Sequence, residues 1–371
     1  MSADLFNNAK RIVIKVGSST LTGSAGSELN TAAVDQLTEI VAALKSAGKE
    51  VVVVSSGAIA AGLSPLGLTT RPKDLATQQA AASVGQGLLV ARYTQAFDRH
   101  QIVASQVLLT IEDVVRRSHY QNAQRTLFKL IQLGVVPVIN ENDSVGTQEI
   151  RFGDNDRLAA LVSHLIGADL LILVSDIDAL YDAPPSQAGA TRIAHVASLS
   201  ELADAKVGGV GASGVGSGGM LTKVEAARIA TGAGISMFLT SLPRLQEAIN
   251  GADVGTTFDP VHDKKPSRLL WLEHASTPRG RLILDAGATT AILERGVSLL
   301  PAGVTEVEGE FNAGDTVELI GASGVVIARG LVAFDADEIP QMLGRSTKEL
   351  AQALGAEYER ELVHRDDLVL I

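Results

Sequence analysis

Six short apolar runs of β-favouring residues punctuate the first two-thirds of the chain: RIVIKV from Arg11, VVVV from Val51, IVASQVLL from Ile102, VVPVI from Val135, LLILV from Leu170 and ISMFL from Ile235. Between them lie helix-length segments at Thr31 to Ala47, Ala76 to Phe97, Glu112 to Leu133 and Leu158 to Ile166. A strand with one wet face alternates apolar and polar residues, whereas these runs are nearly continuous. The pattern predicts an α/β fold with a mostly parallel open sheet covered by helices on both faces.

The pattern changes after about residue 255. GTTFDPVHDKKPSRLLWLEHASTPRG carries three prolines, clustered charge and the single tryptophan, as a linker would. Beyond it, strand candidates RLILD, VTEVEGEF, GDTVELI and GVVIARGLVAF recur between glycine turns, predicting a small β-rich barrel or sandwich. The division expected is therefore 1–257, a linker over 258–277, and 278–371. A length of 371 residues independently favours two cores over one.

Composition narrows the chemistry. A net charge of −11 means that anionic ligands must be held by local groups against the field of the whole protein. The absence of cysteine excludes disulfides, thiolate zinc sites and cysteine nucleophiles. MSADLFNNAKR has no apolar signal core, and no apolar stretch approaches the roughly 18 residues of a membrane span, so a cytoplasmic protein is expected.

Ligands of open α/β sheets collect at the carboxyl ends of the strands. Four such ends here are polar: Lys15-Val16-Gly17-Ser18-Ser19, Ser55-Ser56-Gly57-Ala58, Asn140-Glu141-Asn142-Asp143 and Ser175-Asp176. Each alone is ordinary turn and cap chemistry; the coincidence of four points to a site. In RIVIKV, alternation puts Ile12, Ile14 and Val16 on one face, with Val13 and Lys15 on the other. A lysine there needs an anion, either a structural carboxylate or a phosphate that moves in a reaction.

The glycine tract GGVGASGVGSGGMLTK ends in a helical pattern with Lys223 in its first turn, a placement that opposes the helix dipole unless an anion binds there. Its Gly214-x-Gly216-x-x-Gly219 spacing follows no strand, and no Walker A sequence exists. In Phe152-Gly153-Asp154-Asn155-Asp156-Arg157 a helix cap accounts for one polar residue; two remain to hold a cation. Neither paired histidines at metal-ligand spacing nor a G-x-S-x-G elbow occurs.

Taken together, KVGSSTLTG from Lys15, VSSGAIAAG from Val54, VVPVINENDSV from Val135, FGDNDRLAALV from Phe152 and GVGSGGMLTK from Gly214 resemble the glutamate 5-kinases of the amino acid kinase superfamily. AGATTAILERGVSLLPAGV from Ala286 and VHRDD from Val363 look like their appended PUA domain, so the likeness spans essentially the whole chain. It implies a three-layer α/β/α kinase domain, ATP with Mg2+ held mainly on the nucleotide phosphates, L-glutamate as substrate, proline synthesis, inhibition by free proline, and a homo-oligomer. It further implies that Lys15 and Lys223 stabilise the transferring phosphoryl group, with Asp156 positioning both. Ser56, Asn140, Asp143, Asp154 and Asn155 would bind glutamate. Lys15, Ser175, Asp176 and Ser217, Gly218, Gly219, Met220, Leu221, Thr222, Lys223 would contact the nucleotide. The segment Ser175-Asp176-Ile177-Asp178-Ala179-Leu180-Tyr181 departs from the usual Thr-Asp and Gly-Leu-Tyr on the adenine side.

Competing expectations are a kinase for N-acetylglutamate or aspartate, a silent regulator, and an RNA-binding PUA protein. The last is disfavoured, because residues 278–371 hold eight Lys and Arg against sixteen Asp and Glu, a balance of 8 − 16 = −8.

Overall fold

The computed structural model describes residues 2–22, 28–110, 113–114, 117–145, 155–183, 187, 189–199, 220–261, 272 and 278–371. The chain forms two compact units, Met1–Lys264 and Lys265–Ile371.

All six apolar runs are strands. They are β1 (Arg11–Val16), β2 (Glu50–Ser55), β3 (Ala104–Leu109), β4 (Val136–Glu141), β5 (Leu170–Ser175) and, after the two- and three-residue elements below, β9 (Ser236–Ser241). The short ones are β6 (Leu180–Tyr181), β7 (Arg192–Ile193), β8 (His195–Val196) and β10 (Thr256–Phe258). One eight-stranded sheet runs β3-β4-β2-β1-β5-β9-β10-β8. Every neighbouring pair from β3 to β9 is parallel, and β10 lies antiparallel to β9.

The chain leaves β1 toward β2 on one side and leaves β5 toward β9 on the other. The carboxyl ends of β1 and β5 thus flank a point where the winding reverses, the place where such sheets bind ligands.

Helices cover both faces. Ile12, Ile14 and Val16 join a core built with Val34, Leu37 and Val41 of the helix Thr31–Ser46 and with Leu89, Tyr93 and Phe97 of the helix Leu75–Asp98. The opposite face of β1, Val13 and Lys15, is also buried, under the helix Asn155–Leu165. That helix packs beside Met220–Gly232, and the carbonyl of Leu165 accepts a 2.7 Å bond from Gln124 Nε2 on the helix Arg117–Gln132. The result is the three-layer α/β/α arrangement.

The second unit holds β11 (Gly280–Leu284), β12 (Val304–Gly309), β13 (Thr316–Ile320), β14 (Val326–Val332) and β15 (Val363–Leu370) in the order β12-β11-β13-β14-β15. β11 and β13 are parallel and the other neighbours antiparallel, giving a small mixed sheet. It packs on its own core, including Leu282, Val317, Leu319, Ile339, Leu350 and Val363. Edge strand β12 exposes Glu306 and Glu308, charges that discourage edge-to-edge pairing. β15 escapes an apolar scan because Arg365, Asp366 and Asp367 interrupt it.

Candidate active site

The register sets Val16 of β1 against Ser55 of β2 and Val174 of β5, so Lys15, Ser56 and Ser175 all lie at one edge of the sheet. Gly57, with φ of 101°, turns the chain immediately after β2, a conformation costly for a residue with a side chain. Around this turn the Ser56 N–H donates to the Val16 carbonyl at 3.1 Å.

Two elements distant in sequence bring the charges together. The helix predicted from Leu158 begins at Asn155, so Asn155 and Asp156 lie in its first turn instead of preceding it. Asp156 is 1% exposed and sits between the ammonium groups of Lys15 and Lys223, residues that are themselves 5% and 7% exposed. Its Oδ1 pairs with Lys15 Nζ, and its Oδ2 lies 3.3 Å from Lys223 Nζ. The Thr222 hydroxyl donates to the same Oδ2 at 3.3 Å. Two buried ammonium groups thus converge on one carboxylate, an arrangement that favours an added anion beside them.

Asn155 faces the strand ends. Its Nδ2 has three acceptors in range for two hydrogens, so one is shared: the Ser55 carbonyl at 3.0 Å, Asn140 Oδ1 at 2.9 Å and Ser56 Oγ at 2.9 Å. Its own Oδ1 is buried and has no hydrogen-bond partner among the described residues. Asp143 is half-buried in the turn after β4. On the other flank, the Ser175 hydroxyl donates to exposed Asp176 at 2.9 Å, and the Tyr181 hydroxyl donates to Asp178 at 3.1 Å. Burial first, and then the Asp178 carboxylate, push the Tyr181 phenol above its ordinary pKa. Ala179, where glycine was expected, is fully buried beside Leu180.

The structure therefore gathers Lys15, Lys223, Asp156, Ser56, Asn140 and Asn155, with Ser175 at the adjoining strand end. Asp154, Ser217, Gly218 and Gly219 lie outside the described residues, and so does the rest of the glycine tract. Leu221 is 82% exposed at the start of the helix Met220–Gly232, next to half-buried Met220.

Sequence reasoning missed the support behind the strand ends. Tyr93 donates to Ser55 Oγ at 2.9 Å, because the Ser55 hydroxyl itself donates to the Ser56 carbonyl. Burial pushes the Tyr93 phenol far up, so it remains a donor at any working pH. Gln86, two turns earlier on the same helix face, accepts from Asn140 Nδ2 at 2.7 Å. The available signal was a tyrosine and a glutamine on an otherwise small and apolar helix face.

A parallel sheet with cationic groups at its switch point defines a phosphate-handling enzyme class, and the comparisons agree on which. Residues 10–241 match the amino acid kinase family, and residues 280–354 match the PUA domain. The carbamate kinase from Giardia lamblia, solved bound to AMP-PNP, superposes with a TM-score of 0.51 over 70% of this chain and 100% of that one; at 18% identity this shows the fold alone. A glutamate 5-kinase of Streptomyces avermitilis is 61% identical over 364 residues, covering 98% of this chain and 97% of that protein. One from Salinispora arenicola is 58% identical over 368 residues, covering 99% and 100%. The chain belongs to the amino acid kinase family, in its glutamate 5-kinase branch with a C-terminal PUA domain.

Proposed function

We propose that the chain transfers the γ-phosphoryl group of ATP to the side-chain carboxylate of L-glutamate, forming L-glutamate 5-phosphate, the first step of proline synthesis. The observation that carries the site assignment is the Lys15–Asp156–Lys223 cluster at the sheet's switch point. A carboxylate is already a competent nucleophile, so no general base is needed. One of its oxygens bonds to the γ-phosphorus while the bridge to the β-phosphate breaks, releasing ADP. The obstacle is repulsion between two anions. Lys15 and Lys223 offset it by charge stabilisation and positioning.

In this reading Asp156 keeps both ammonium groups in place without neutralising them. Ser56, Asn140, Asp143, Asp154 and Asn155 hold glutamate, with the free Asn155 oxygen accepting from its ammonium. Ser175, Asp176 and residues 217–223 hold the nucleotide. Mg2+, if bound with the nucleotide as the family likeness implies, would add charge neutralisation to that of Lys15 and Lys223. Residues 1–257 form the catalytic domain, 258–277 the linker and 278–371 the PUA domain.

Feedback by proline and homo-oligomeric assembly follow from the family likeness. No helix among the described residues is long and apolar enough to cross a membrane.

The test is ATP-dependent acyl phosphate formation, trapped as a hydroxamate, across glutamate, N-acetylglutamate and aspartate. Product with glutamate well above the other two is expected. Preference for either rival, or no product with any acid, overturns the assignment.

A further inference from the structure

Gln86 plays no part in the phosphoryl transfer described above, yet it is 7% exposed and its amide is tied to the substrate side of the site. The ties have a fixed direction. The backbone N–H of Glu141 can only donate, so the Asn140 atom facing it, at 2.9 Å, is Oδ1. The Asn140 amide nitrogen must then face Gln86, and the Gln86 atom 2.7 Å away is the acceptor Oε1. Asn155 meets that same Asn140 Oδ1 at 2.9 Å and the Ser55 carbonyl at 3.0 Å, both acceptors, so it turns its nitrogen toward them. Its oxygen is left buried and without a partner among the described residues. Three amides are thus locked in one sense, and the chain terminates in an acceptor.

The helix that carries Gln86 is held just as tightly. A Cβ on Gly85 would stand 1.8 Å from the Ala58 carbonyl oxygen, and one on Gly62 would stand 1.9 Å from that of Ala81. The helices Ala58–Leu63 and Leu75–Asp98 therefore meet backbone to backbone beside Gln86, which fixes its distance from β4.

We infer that Gln86 is a positioning residue that determines specificity. By orienting Asn140, and through it Asn155, it makes the site present a carbonyl oxygen to a substrate's free ammonium group, and so disfavours amino acids acylated on that nitrogen. This rests on the reading of the substrate as a free amino acid.

The test compares Gln86→Met and Gln86→Glu in the full chain, with glutamate and with N-acetylglutamate. Methionine keeps the bulk and removes the acceptor. Its KM for glutamate should rise at least about tenfold with kcat within about threefold and KM for ATP unchanged. The preference for glutamate over N-acetylglutamate should fall at least about tenfold. Glutamate at this position restores an acceptor for Asn140, so Gln86→Glu should bring KM and selectivity back to within about threefold of the parent. A folded Gln86→Met with unchanged KM and selectivity overturns the inference. So does Gln86→Glu with the methionine variant's defect, even where Gln86→Met does not fold. A parent enzyme inactive on glutamate overturns the substrate assignment instead, so the two failures are distinguishable.

Discussion

Replacing Asp156 with asparagine keeps the side chain's shape and removes the one charge standing between two buried ammonium groups. At 3.3 Å, the Lys223 contact alone represents about 5 kcal/mol of attraction at an effective dielectric near 20. Desolvating the ions offsets much of that, and removing one partner of a buried pair costs about 3–5 kcal/mol in net stability. Asp156→Asn should therefore lower the unfolding free energy in urea by about that amount. Here two cations are left facing each other, so the loss should be partly recovered by saturating ATP, whose terminal phosphate supplies replacement negative charge. Turnover should fall about a hundredfold or more, because the lysines are no longer held in place. Stability within about 1 kcal/mol of the parent, together with near-normal turnover, would refute the view that this carboxylate organises the site.

Gly85→Ala forces a methyl group against the Ala58 carbonyl, which belongs to backbone and cannot rotate away; a loss of about 3 kcal/mol is expected in urea unfolding, with KM for glutamate raised. Burial lowers the His164 pKa from its ordinary 6.5. The unfolded chain then binds a proton that the native one refuses, so stability present above about pH 6.5 is lost as pH falls below it. His164→Leu should flatten that acid limb in thermal melts between pH 7 and 5, and an unchanged slope would assign the loss to other groups.

Much of the fold was legible because parallel strands buried on both faces are largely apolar, and all six apolar runs became strands of one sheet, with β3 the half-exposed one at its edge. The short strands β6, β7, β8 and β10 span two or three residues each, too few for a periodic signal. Lys15 stood out because a charge in an apolar strand needs a partner. That Asp156 supplies it, along with Lys223 67 residues further on, is a matter of tertiary packing. The role of Gln86 was hidden for the same reason: a polar residue on an apolar helix face signals a partner, but that partner lies 54 residues away and only the packing identifies it.

The most direct measurement is the rate of glutamyl hydroxamate formation by Lys15→Ala, beside the parent enzyme at saturating ATP and glutamate. With circular dichroism showing the fold retained, a drop of at least about a hundredfold in kcat is predicted, on the scale of losing one preorganised charge at the transferring phosphoryl group. A folded variant that turns over glutamate at nearly the parent rate would contradict the account.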